Sequence, residues 1–140
     1  EKAEAICVQV DLVVRWMGER RTKTFALEHD LDMHPPFGML VALQSLYFKG
    51  ADAEVQNFGN KVIAFLGVLS RAYADLSNAN LDITIEEKMG RDPSEARVAY
   101  RKIFDEQVAA VMGRQKEFVA ASTQVTAKIV SLLAAEIKKN

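Results

Sequence analysis

Cysteine is nearly absent: Cys7 stands alone in 140 residues. That excludes an intramolecular disulfide and, with it, a small cross-linked secreted scaffold, so a reducing, cytoplasmic setting is the expectation. Cys7 lies among apolar neighbours and reads as a small buried hydrophobe rather than a reactive thiol. Proline is almost as scarce. Pro35 and Pro36 stand together, Pro93 is the third, and none follows. Charge of one sign is lacking too, with 18 Lys+Arg against 19 Asp+Glu and a net of −1. Such a weak field recommends neither nucleic acid nor a membrane surface. The asymmetry between the halves is mild: 9 Lys+Arg against 13 Asp+Glu over residues 1–90, and 9 against 6 over residues 91–140.

No segment approaches the roughly 20 consecutive apolar residues of a membrane span. The most apolar run, "VIAFLGVL" at residues 62–69, has the length of a core helix. No leader pattern is visible, and a chain that begins at Glu1 rather than Met fits a fragment or a processed form. Chemical signatures are missing as well. There is no Gly-rich phosphate loop, nucleophile elbow or cysteine metal pattern. Glu1 and Glu4 form an E-x-x-E pair, one half of the pattern with which MazG-type all-α pyrophosphohydrolases hold magnesium. No E-x-x-D follows, and the adjacent Glu86 and Glu87 diverge on a helix. Arg21 to His29 is too wide for the Arg–His spacing of HEPN-type nucleases, and Lys23 has the wrong side chain. No cofactor is expected.

What the sequence does have is helical periodicity. Ile6, Val10, Val13 and Met17 recur at four, three and four, with Cys7 and Val14 widening the stripe, and predict a helix over residues 3–27. The prolines suit a first turn and predict a second helix over 36–48, with Gly50 able to take a left-handed cap. Val55, Phe58, Val62, Phe65, Leu69 and Leu76, with Tyr73 beside them, predict a third over 52–76. Within it Gly59 and Gly67 suggest close approach of a neighbouring helix. "SNAN" at 77–80 is expected to break the chain. Thr84 and Glu87 then form a capping box for a short helix ending at Gly90. "RDPSEA" is the strongest start signal, with Asp92 as cap and Pro93 in the first turn. The five methionines (Met17, Met33, Met39, Met89, Met112) read as core filler. The fold expected is all-α, a single helical bundle of four to five helices with a long C-terminal helix.

That last helix carries the main functional expectation. Phe104, Val108, Val111, Gln115, Phe118, Ser122, Val125, Ile129 and Leu132 step by four and three, a coiled-coil-like seam. A helix over 92–138 would be roughly 65–70 Å long at ~1.5 Å per residue. It either bends, with Gly113 the natural place, or projects and packs on another chain. Gln115 and Ser122 would then set register or oligomeric state. The expected function is therefore a non-enzymatic interaction or assembly module, self-associating or docking a protein partner through this seam. Val111→Asp or Ile129→Asp should then dissociate an oligomer before abolishing helicity.

Two other clusters carry weaker readings. "LEHDLDMHPPF" gathers both histidines with acids, so His29, Asp30, Asp32 and His34 could hold a transition metal or serve acid–base chemistry. The His–His spacing of five misses the shared helix face that metal motifs use. The simpler reading is a polar elbow, with Asp30 or Asp32 capping the second helix. Arg15, Arg20, Arg21 and Lys23 surround Trp16 and could meet phosphates or a single strand. The simpler reading here is cations at a helix C-terminus with Trp16 packed on a neighbour. A toxin, immunity or phage accessory role rests on class alone.

Overall fold

The computed structural model describes residues 1–28 and 32–139. Its elements are α1 (Lys2–Phe25), α2 (Gly38–Tyr47), a 3-10 turn (Lys49–Ala51), α3 (Asp52–Lys88) and α4 (Ser94–Lys139). The chain is all-α, and no strand occurs among the described residues.

α3 and α4 form the spine, a long antiparallel hairpin. One register runs along it: Arg97 meets Glu87, Gln107 meets Asp75, Phe118 meets Phe65 and Leu132 meets Gly50. α1 lies antiparallel to α4, with Phe25 edge-on to Phe104 at 5.3 Å and the Arg21 guanidinium donating to the Gln115 side-chain oxygen. α2 closes the bundle near the start of α3, where Phe37 packs edge-on to Phe58. The core is fed by the expected stripes: Ile6, Val10, Val13 and Met17 of α1, and Val55, Phe58, Val62, Phe65, Leu69 and Leu76 of α3 are all buried. From residue 80 to residue 110 nothing is buried, so the turn end of the hairpin extends past α1 as a two-helix stalk.

The structure corrects several local expectations. "SNAN" does not break the chain; α3 runs on for 37 residues. Leu76 and Ala79 flank and enter that stretch and are buried, and their burial outweighs the weak helix propensity of Ser and Asn. Thr84 therefore sits mid-helix, its hydroxyl donating to the Asn80 carbonyl one turn back instead of capping a new helix. α2 begins at Gly38, two residues after Pro36, with no side-chain cap. Gly50 has no left-handed backbone. Its missing side chain instead leaves room for Leu132, whose Cδ2 would lie 3.0 Å from a methyl placed there. Of the methionines only Met17 is fully buried; Met39, Met89 and Met112 face solvent. Cys7 is half-buried at the core's edge.

The two long helix ends are built alike. At Gly90 (φ 69°) the Arg91 amide donates to the Glu86 carbonyl and the Gly90 amide to Glu87. At Leu27 (φ 55°) the Glu28 amide donates to Lys23 and the Leu27 amide to Thr24. Both are Schellman motifs. The first uses the residue that tolerates a left-handed backbone, and the second strains a leucine. α4 starts as expected: the Asp92 carboxylate accepts from the Ser94 amide and hydroxyl, and these bonds hold its carboxyl below the usual range.

Gly59 and Gly67 do not mediate close approach. A methyl group at either would meet no atom within 4 Å. Both sit inside a helix, so each costs conformational entropy with no packing return. Gly59→Ala and Gly67→Ala are each expected to stabilise the fold by about 0.5–1 kcal/mol. In a thermal melt the pair should raise Tm by roughly 4–8 °C. An unchanged or lowered Tm would mean that something packs closely on these positions.

Candidate interaction surface

Three surfaces were legible as candidates, and the structure sorts them differently. At the elbow, His29 and Asp30 lie outside the described residues. Asp32 and His34 are described, and they make a local turn: the Asp32 carboxylate accepts from the His34 amide at 2.9 Å and lies 3.0 Å from its Nδ1. The amide bond is the larger cause of a carboxyl held below its usual range, followed by the ring. Both side chains are exposed, His34 almost fully. Asp32 is thus committed to the turn and does not cap α2. Among the described residues no three His, Cys, Asp or Glu side chains converge as a metal site.

The basic cluster is split by the helix it stands on. Arg20 is buried, its guanidinium over the Trp16 ring at 5.2 Å and 3.4 Å from the Asp32 carbonyl, with Nε lacking a hydrogen-bond partner among the described residues. Arg21 turns to α4. Arg15, Arg21 and Lys23 all border one shallow depression, which also holds Glu19 and Glu28. With Arg20 buried and Arg21 bonded to Gln115, the cations left at the depression are offset by the two acids beside them.

The seam on α4 is turned inward. Val111, Phe118, Ser122, Val125 and Ile129 are buried, and Phe104, Val108, Gln115 and Leu132 half-buried, within this chain's own bundle. The edge-to-face contact of Phe118 on Phe65 at 4.8 Å marks its centre. The polar members are satisfied locally: Gln115 by Arg21, and Ser122 by donating to the Val119 carbonyl. α4 is one helix through Gly113, so the chain does not break there. Where α1 ends, an apolar cavity of about 310 Å³ opens between Thr22, Phe25, Phe104, Val108, Val111 and Met112, with Arg21 at its edge.

A second stripe on α4 escaped the sequence reading. Met112, Val119, Val130, Leu133 and Ile137 are 40–68% exposed. At about 100° per residue they cluster roughly 100° around the helix from the buried seam. Gly113, Ala120, Ala127 and Ala134 recur every seventh residue along the stripe's outer edge, all exposed. One 18-residue window of α4 is long and apolar enough by composition to cross a membrane, and 22% of it is buried inside the fold. That corrects the expectation that no segment comes near a span. The signal was present as the same four-and-three stepping, one position along. It was masked because a helix with one apolar seam is normally polar elsewhere.

The chain matches no protein-family model, no curated protein and no solved structure.

Proposed function

We propose that this chain is an interaction or assembly module that works through α4, with the bundle as the platform that holds the helix straight. The observation that carries the reading is the outer stripe: five large apolar side chains on one helix face, exposed, on the same helix whose neighbouring stripe is already in the core. A monomeric soluble protein rarely leaves so long an apolar face open, and such faces mark contact sites. Exposed apolar side chains elsewhere form shorter groups, such as Leu81, Ile85 and Met89 at the end of α3, or stand singly, such as Ile63, and single ones call for no partner. Catalysis has no comparable support, since Asp32 and His34 are solvated and the cations at the end of α1 stand beside Glu19 and Glu28.

The test is a triple variant, Val119→Lys/Val130→Lys/Ile137→Lys. All three positions are exposed, so helicity and Tm should stay close to wild type. Wild type should migrate above the 15.6 kDa of one chain, either purified or in extracts of the cells that make it, and the triple variant should migrate as a single folded chain. A wild type that runs as one chain in both settings sinks the reading.

A further inference from the structure

We infer that the outer stripe of α4 is a two-fold contact, on which a second copy of this chain lays the same stripe in the opposite direction. The inference rests on the interaction reading above and names the partner. From Met112 to Ile137 the stripe steps by four and three through Lys116, Val119, Thr123, Thr126, Val130 and Leu133. That is the spacing of a two-helix seam. Its order is nearly the same from either end: large apolar groups at Met112 and Ile137, valines at 119 and 130, threonines at the centre. Reversed on itself, the stripe sets Met112 on Ile137, Val119 on Val130 and Thr123 on Thr126 of the other copy.

Charge selects this direction. A parallel pairing would stack Lys116 on Lys116, and like charges directly opposed are unfavourable. The antiparallel pairing turns Lys116 toward Leu133 and Glu136 of the other copy, where its stem can lie on the leucine and its ammonium reach the carboxylate. Lys116 and Glu136 are exposed, and neither has an ion-pair partner among the described residues. Two-fold symmetry makes that pair twice. The edge of small residues fits the same register, with Gly113 beside Ala134 and Ala120 beside Ala127, and no bulky group keeps the helices apart.

Size sets the strength. The stripe covers roughly 39 Å of helix about 10 Å wide. That is on the order of 400 Å² per copy, below the ~800 Å² per partner of a standard interface. The contact is therefore reversible and depends on concentration.

Sedimentation equilibrium of the purified full chain over a hundredfold concentration range tests this, with charge variants at the facing positions. Wild type should shift from monomer to dimer across the range. Val119→Glu and Val130→Lys should each weaken the dimer about tenfold or more, and the double variant Val119→Glu/Val130→Lys should restore it. In the antiparallel pair the new charges face their opposites; in a parallel pair each would face itself. A double variant weaker than both singles overturns the proposed direction. A purified wild type that stays monomeric at every concentration, while a larger α4-dependent species persists in cell extracts, overturns the second copy but leaves the interaction reading standing. Monomers in both settings remove both. A monomer that floats with phosphatidylcholine–phosphatidylserine vesicles, and loses this on the triple lysine change, makes a bilayer the occupant and overturns the proposal.

Discussion

Ile129→Asp is expected to unfold the chain rather than separate it from another. Ile129 has no exposed surface, and the bundle supplies all of its covering. Truncating such a side chain costs about 2–5 kcal/mol in lost transfer and residual cavity. Forcing a carboxylate into the same space adds the cost of desolvating a charge, or of protonating it to avoid that. Small domains hold only about 5–15 kcal/mol in total, so the sum removes most or all of the stability. Far-ultraviolet circular dichroism should show loss of the cooperative melt at neutral pH. Because a neutral acid is less costly to bury, part of the structure should return as the pH falls through the carboxylate range. A variant that melts like wild type but has half its mass would place Ile129 between chains, contrary to its burial here.

Phe65 and Phe118 form the second large test. Their rings meet edge-to-face at 4.8 Å between centroids, where α3 and α4 cross the middle of the core. Phe118→Ala should cost about 3–5 kcal/mol, and Phe65→Ala a similar amount. The two losses should not add, since each deletes the other's partner and both open one cavity. The pair itself is worth about 0.5–1.5 kcal/mol beyond the area it buries. Urea melts of Phe65→Leu, Phe118→Leu and their double variant, milder truncations expected to stay folded, close the cycle: the double variant should lose less than the sum of the singles. Strict additivity would mean that the two rings do not touch in solution.

The sequence carried the architecture further than the site. Four-and-three spacing located the buried faces of α1, α3 and α4 because a core stripe must recur at the helical period. Asp92-Pro93 and Gly90 marked real boundaries because their backbone demands are local. "SNAN" failed as a boundary because propensity is a small term against the burial of Leu76 and Ala79. Gly50, Gly59 and Gly67 were misread because a glycine's reason lies in what stands opposite: for Gly50 that is Leu132, more than eighty positions on, and for the other two it is nothing within 4 Å. The outer stripe was in the letters but not in the expectation. Once one seam had been read on α4, Met112 passed for core filler and Val119, Val130, Leu133 and Ile137 were given no role. Only the placement of α1 and α3 decides which stripe is covered.

The two-helix stalk has a consequence for how the molecule opens. Cooperativity comes from side chains that share a third and fourth neighbour, and beyond Phe104 the hairpin has none that is fully buried. Its ladder of backbone bonds there rests on helix propensity, half-buried contacts and surface pairs such as Arg97 with Glu87, each pair worth less than about 1 kcal/mol. The chain therefore divides into a bundle whose core amides are expected to exchange most slowly and an arm expected to open turn by turn from the Gly90 end. Arm and bundle share two helices yet differ in lifetime. A load applied at the tip would be spent on fraying before it reached the core.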